Sequence, residues 1–195
     1  LYHKPQGQSF DIQEQAEDEQ GSTVLGSLPA LRGADLHAIN GMQAGDSGLL
    51  VLTSDGRLAD ALQRRAQSIP TAYMVRVLLP HPEFDITSLP KVVQYDEETV
   101  EFDAVEPAGG EGTNRWFLVQ SSRSRRRAAV RALFDSRDLK VSRVIQVKFG
   151  DLELPRDLPR GRYRALTDVQ MQTLYASVQL EAPQQSRQVA GSRGS

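Results

Sequence analysis

The sequence has few side chains suited to covalent or metal chemistry. It contains no cysteine, which excludes disulfide bonds and thiolate metal sites. Its three histidines, His3, His37 and His81, lack the spacing of a ligand set, so we predict no metal site. No apolar run reaches the roughly 18 residues of a membrane-spanning helix, so we expect no membrane partner. These absences fit a reducing compartment.

The net charge is also small, at −2, but the charged residues are segregated along the chain. Acidic residues concentrate within 14–19 and within 96–106, whereas arginines concentrate within 123–131. The arginines of this basic segment are Arg123, Arg125, Arg126, Arg127 and Arg131. A basic face attracts nucleic acid even when the whole protein is almost neutral. The alternative is that these side chains only solvate one face of a helix.

The hydrophobic pattern predicts one α+β domain with a largely antiparallel mixed sheet flanked by helices. Short apolar and β-branched runs predict the strands, and apolar residues three and four apart predict the helices. Val144 interrupts the alternation of the last strand. The strands are predicted near residues 48–53, 73–79, 91–95, 99–104, 116–119 and 141–149, and the helices near 58–67, 126–135 and 167–178.

The domain is predicted to extend from residue 1 to residue 178. Residues 6–22 are polar, acidic and rich in glutamine, which predicts a flexible insert. Residues 179–195 are rich in Gly, Ser and Gln, which is typical of a disordered tail. Residues 1–5 read as a strand already under way rather than a secretion signal. We therefore expect the chain to begin inside a longer gene product.

Four separated segments resemble the same known proteins. Residues 2–7, Tyr-His-Lys-Pro-Gln-Gly, are similar to an aromatic residue followed by Lys-Pro-x-Gly. Residues 47–59 match the run Ser-Gly-Leu-Leu-x-x-Thr-x-Asp-Gly-x-Leu-Ala almost residue by residue. Residues 23–33 and 141–161 are further similar blocks. The chain thus resembles the RNA pseudouridine synthases of the ribosomal-subunit branch, and most of all the large-subunit synthase B subfamily. The S4-type RNA-binding module that precedes this domain in the family is absent from the sequence.

The resemblance implies isomerisation of uridine to pseudouridine in ribosomal RNA, a redox-neutral reaction that requires no cofactor. The base must leave the stack and enter a pocket, where the family uses one aspartate as nucleophile or base. With residues 47 and 48 aligned, Gln43 stands at the position of that aspartate and Gly41 at the position of an arginine. A neutral amide is a poor nucleophile, so Asp46 is the candidate substitute. The structural alternative for Asp46 is a turn residue.

Other family positions are partly retained. Tyr73 matches the tyrosine that stacks on the flipped base, although it could also be an ordinary aromatic residue of a strand. Arg131 matches the arginine that pairs with the catalytic aspartate, so water, Asp46 or an RNA phosphate must replace the missing partner. We assign RNA contacts to basic residues that are kept or added. These are Lys4, Arg123, Arg125, Arg126, Arg127 and Arg143.

Three hypotheses follow from these residues. The chain is an active uridine isomerase that uses Asp46 or another acid, or it is a catalytically silent relative that binds ribosomal RNA, for example as an assembly factor. The third hypothesis is a basic surface that binds only protein. The first two predict ribosomal RNA or a pre-ribosomal particle as the partner, with ribosomal proteins as further candidates, and an affinity that falls steeply with salt.

Overall fold

The computed structural model describes residues 1–10, 23–28, 35–87, 89–122 and 127–183. In this part of the chain, α-helices separate groups of consecutive strands. The strands are β1 (Tyr2–Lys4), β2 (His37–Ala38), β3 (Ser47–Leu50), β4 (Leu52–Thr53), β5 (Thr71–Leu78), β6 (Val92–Tyr95), β7 (Glu98–Glu101), β8 (Ala104–Glu111), β9 (Asn114–Ser121), β10 (Lys140–Phe149) and β11 (Leu152–Glu153). The α-helices are α1 (Gly56–Arg64), α2 (Arg127–Asp135) and α3 (Asp168–Ser177).

A seven-stranded sheet forms the centre of the fold. Its strand order is β1-β3-β10-β5-β9-β8, and β11 pairs with the far end of β10. Within it, β3 and β10 run parallel, whereas the other pairs are antiparallel. The pairs β2–β4 and β6–β7 form two small hairpin-like sheets beside it. The prediction of an α+β fold with a largely antiparallel mixed sheet is therefore confirmed.

Val144 breaks the alternation of β10 because this strand contains a β-bulge. Val141 pairs with Val77 and Arg143 pairs with Arg76, so Ser142 is an extra residue between the two pairs. A bulge of this kind shifts the facing of every later side chain by one position. As a result Val141 and Val144 both face the hydrophobic core, and Arg143 faces the opposite side of the sheet.

The largest hydrophobic cluster lies between α2 and one face of the sheet. Phe117 of β9 and Phe134 of α2 contact each other there, with ring centroids 5.3 Å apart. Burial of such aromatic and branched residues provides the main stabilisation of this half of the domain. A second cluster joins α1 and α3 to the end of β10, where Leu58, Leu174 and Phe149 meet. The sheet therefore has helices packed on its two halves.

The starts of α1 and α3 are fixed by capping side chains. Asp55 accepts hydrogen bonds from the backbone N–H groups of Arg57 and Leu58, and Thr167 forms the capping box of α3. The Tyr175 hydroxyl of α3 also donates to the Asp55 carboxylate at 3.0 Å. The Arg57 side chain lowers the pKa of Asp55, and burial raises the pKa of Tyr175. Asp55 therefore joins α3 to the first turn of α1.

The ends of the predicted flexible segments belong to the fold. Gln8 and Ser9 are buried, and the Gln8 side chain accepts from the Tyr2 hydroxyl at 2.6 Å. Leu180 and Ala182 pack against the cluster around α3. The rest of the predicted insert, 11–22, and of the predicted tail, 184–195, lies outside the described residues. In the part of the chain that the structure describes, no helix is long and apolar enough to cross a membrane.

Candidate active site

Gln43 and Asp46 lie in the loop that leads into β3, and this loop is tied to the strand at its start. The Asn40 side chain donates to the carbonyl oxygen of Leu49 at 2.8 Å and accepts from the N–H of Val51, also at 2.8 Å. Within the loop, the N–H of Gln43 donates to Asp46 Oδ2 at 2.9 Å, and the N–H of Asp46 donates to the Gln43 carbonyl at 3.0 Å. The two residues therefore share one tight turn.

The Lys4 ammonium group binds the same loop through the loop's carbonyl oxygens. The Lys4 side chain is fully buried, and its ammonium donates to the carbonyl oxygens of Asp46 at 2.7 Å and of Ala44 and Pro5 at 3.3 Å each. A buried cation requires such partners because it has lost its hydration. A fully buried ammonium cannot reach a phosphate, so our assignment of Lys4 to RNA binding is wrong. Its role is to hold the loop that carries Asp46.

Replacement of Lys4 by methionine is expected to destabilise the fold by about 1–3 kcal/mol, because the loop carbonyls would lose their buried donor. The salt dependence of RNA affinity should not change, since that slope reflects the phosphates that the protein neutralises and Lys4 neutralises none. Thermal denaturation and RNA titrations at several salt concentrations measure both effects. Lys91→Met, at an exposed lysine, is the matched control and should change stability by less than about 0.5 kcal/mol. A shallower salt slope for Lys4→Met alone would restore the RNA-binding assignment.

Gly48 lets β3 approach β10 at the point where Gln146 enters the site. Its φ is +111°, and a Cβ at this position would overlap the Gln146 carbonyl oxygen and lie 2.6 Å from the Gln146 nitrogen. Only glycine combines this backbone conformation with this approach. The close approach leaves the Gln146 side chain 5% exposed, beside the loop and beside α2.

Arg127, the first residue of α2, provides the guanidinium of the site. Its Nη1 lies 2.5 Å from Asp46 Oδ2, and its Nη2 donates to Gln146 Oε1 at 2.6 Å. The guanidinium carbon lies 5.8 Å from the centre of the Tyr73 ring, within cation–π range. The Arg127 and Asp46 side chains are only 15% and 23% exposed. Water therefore screens this ion pair less than a surface pair.

The arginine that reaches Asp46 is thus Arg127, whereas the sequence pointed to Arg131 for the carboxylate and to Arg127 for RNA. Arg131 is exposed and makes a long contact of 3.5 Å to the Val141 carbonyl, although it also lines the cavity described next. Arg143 is partly exposed on the opposite side of the sheet. The remaining predicted contacts, Arg123, Arg125 and Arg126, lie outside the described residues.

A cavity of about 710 Å³ opens over these side chains. Gln43, Asp46, Tyr73, Arg127 and Arg131 all line it. Its volume lies in the range of small-molecule sites, roughly 300–1,000 Å³. Among the described lining residues Asp46 is the only acid, so two arginines leave an excess of positive charge. This charge suits an anionic ligand such as a nucleotide. In the described ranges no three acidic or histidine side chains converge as a metal site would require.

The residues predicted from the sequence at positions 43, 46, 73 and 131 line one cavity, but three other residues that build the site were not predicted in these roles. These are Asn40, Gln146 and, as the partner of Asp46, Arg127. Arg127 lies four residues before Arg131, which places both on the same face of α2, and this spacing was the available signal. Nothing local in the sequence indicated the roles of Asn40 and Gln146, because both depend on the pairing of β3 with β10.

The chain was compared with known proteins. The ribosomal large subunit pseudouridine synthase B of Salmonella typhi is 35% identical over 189 residues, which cover 97% of this chain and 63% of that protein. The protein of the same name from Escherichia coli K12 is 34% identical with the same coverage. The chain therefore spans less than two thirds of the length of these curated relatives. A crystal structure of pseudouridylate synthase has a TM-score of 0.66 at 21% identity, covering 89% of this chain and 71% of that one, which supports the fold. No family model matches the sequence.

Proposed function

The chain belongs to the pseudouridine synthase family, and we propose that it isomerises uridine in ribosomal RNA with Asp46 as its working carboxylate. The observation that carries this proposal is the Asp46–Arg127 pair in the cavity that Tyr73 lines. The relatives are named for the large ribosomal subunit, so the proposed substrate is its RNA, free or in a pre-ribosomal particle. The proposed compartment is the bacterial cytoplasm or an organellar matrix.

The proposed reaction exchanges one bond of the ribose for another. The bond between C1′ and uracil N1 breaks, and a bond between C1′ and uracil C5 forms. N1 gains a proton and C5 loses one, so the atoms balance without an oxidant or a reductant. Asp46 acts on the sugar as nucleophile or base, because a carboxylate can attack carbon or accept a proton. Gln43 is exposed in the same cavity, and its amide can only hydrogen-bond to the ribose.

Asp46 and Arg127 both stand at sequence positions other than those of the family's aspartate and arginine, yet the two side chains still meet. Asp46 lies three residues after Gln43, and Arg127 lies four residues before Arg131. Four residues are about one helical turn. Arg127 therefore lies on the same face of α2 as Arg131, one turn closer to the start of the helix, where it contacts the loop. Without Asp46, the Arg127 guanidinium would have no charged partner in a largely buried position, which is costly. The pairing supports a relocated charge pair rather than a decayed loop.

A second candidate function is RNA binding without catalysis, as in a ribosome assembly factor. It is favoured by the occupation of Asp46 Oδ2, which accepts from both Arg127 and the Gln43 N–H. A carboxylate oxygen that already accepts two hydrogen bonds is a weaker nucleophile. RNA binding without catalysis further requires that the other oxygen, Asp46 Oδ1, cannot reach the sugar. The basic cavity would then bind a flipped base without changing it.

Release of tritium distinguishes the two functions, because isomerisation removes the hydrogen on C5 of uracil. An unmodified large-subunit RNA transcript with tritium at C5 of its uridines is incubated with the protein, and RNA affinity is measured in parallel. Isomerisation predicts release that stops near a whole number of tritium atoms per transcript. Salt-sensitive binding without release would favour the silent relative. Absence of both binding and release would contradict both functions.

A further inference from the structure

The face of the sheet turned away from α2 carries cations beside a tryptophan. Strand pairing places Arg143 of β10, Arg76 of β5 and Trp116 of β9 side by side in one row across the sheet. The next row consists of Ile145, Met74 and Leu118 on the same three strands. Lys140 pairs with Leu78 beyond the first row. We refer to these eight side chains as the open face.

The open face is not covered by any described element. Its side chains are partly or fully exposed, and Leu78 is 42% exposed. Met74, Trp116, Leu118 and Ile145 belong to none of the three hydrophobic clusters, nor to the residues packed against them. On the same strands, the alternate residues Val75 and Phe117 are completely buried under α2. This contrast shows that the helices cover one face of this half of the sheet and leave the other open.

The eight side chains of the open face include three cations and no acid. Arg76, Arg143 and Lys140 make no ion pair with any described residue. Two acids lie at the margin of the open face on β8: Glu106 pairs with Leu118, and Glu111 pairs with Asn114, the register partner of Leu78. Three cations against two marginal acids leave an excess of positive charge, which favours an anionic partner. The flat aromatic ring of Trp116, next to Arg76 on the outer strand of the row, suits a partner with stacking surfaces.

We propose that the open face binds a single-stranded segment of RNA, separate from the uridine in the cavity. A base stacks on Trp116, and the flanking phosphates lie against Arg76, Arg143 and Lys140. Exposed sheets bind single strands in this way because every base has a stacking face and every linkage carries a charge. Tyr73 and Met74 are neighbours on β5 and point to opposite faces, so the cavity and the open face do not share a nucleotide. The proposal therefore stands whether or not the cavity is catalytic.

Trp116 is the only tryptophan in the sequence, so intrinsic fluorescence reports on the open face alone. Titration with a single-stranded oligouridylate is expected to quench this fluorescence, with a midpoint that rises with salt. Arg76→Gln with Arg143→Gln should weaken binding and lower the salt slope by about two, one for each phosphate that is no longer neutralised. Arg156→Gln with Arg160→Gln removes the same charge from an exposed loop and should leave the slope nearly unchanged. An equal decrease in the two pairs would overturn the proposal.

The affinity of Trp116 variants for end-labelled RNA, measured by anisotropy, tests stacking directly. Trp116→Ala should bind about 5-fold to 150-fold more weakly, as expected when one base no longer stacks, while Trp116→Phe should stay within severalfold of the parent. RNA binding without quenching would overturn the proposal. So would a fluorescence change that depends only on protein concentration, which would assign the open face to a second copy of the chain.

Discussion

Asp46→Asn is expected to lower the rate of pseudouridine formation by about 10³-fold or more, while RNA affinity changes by less than about tenfold. The amide has nearly the shape of the carboxylate and still accepts from the Gln43 N–H, so the loop keeps its turn. It cannot act as nucleophile or base, and removal of such a group from other enzymes has effects of this size. Single-turnover rates with the protein in excess over the RNA measure the chemical step alone.

The matched control is Gln43→Ala in the same turn, which should stay within about tenfold of the parent rate. Arg127→Lys provides a second comparison, because a lysine cannot contact Asp46 and Gln146 together as the guanidinium does. We expect it to lose activity with only a modest change in RNA affinity. Loss of the charge on Asp46 also leaves Arg127 unpaired, so Asp46→Asn should be less stable by about 1–3 kcal/mol. Full activity of Asp46→Asn would exclude Asp46 as the carboxylate.

Gly48→Ala is expected to destabilise the protein by about 3–5 kcal/mol, which corresponds to a melting temperature lower by roughly 6–20 °C. The added Cβ would meet the backbone of Gln146, and neither strand can move aside without breaking the pairing of β3 with β10. The positive φ of Gly48 adds strain for any other residue. Denaturant unfolding monitored by circular dichroism gives the change in free energy.

Gly45→Ala, three residues earlier, is the control for Gly48→Ala. A Cβ at Gly45 has no neighbour within 4 Å, and the φ of Gly45 is not positive. The substitution should therefore be neutral or slightly stabilising, because alanine restricts the unfolded chain. If the two variants were equally stable, the close approach of β3 to β10 would not be needed to build the site.

Much of the fold could be predicted because its signals are local. The helix after Asp55 and the cap at Thr167 follow from a capping aspartate and a capping box. The strand predicted over 48–53 is instead two strands, β3 and β4, which belong to different sheets. The bulge at Ser142 could be suspected from the misplaced Val144 but not located, because the partner strand determines which residue is extra. Local sequence patterns indicate the elements, whereas register depends on contacts between distant segments.

The site was only partly predictable for the same reason. Asp46 could be found as the nearest acid to Gln43, since both lie in one short loop. The choice between Arg127 and Arg131 depends on the rotation of α2 over the sheet, which no local pattern determines. Lys4 was assigned to RNA as a basic residue that is kept from the family pattern. Its burial could not be predicted, because the loop carbonyls that bind its ammonium lie about forty residues away in sequence. The open face depends on the register of three strands.

The position of the working carboxylate is tested most directly by a nucleotide-resolution map of pseudouridine. An unmodified large-subunit RNA transcript is incubated with the parent protein, with Asp46→Asn, or with the double variant Gln43→Asp, Asp46→Asn, which returns the carboxylate to the family position. We predict modification at a defined uridine by the parent and none by Asp46→Asn. If the parent modifies nothing and the double variant gains activity, Asp46 is not a relocated carboxylate, and the natural chain is a silent member of its family.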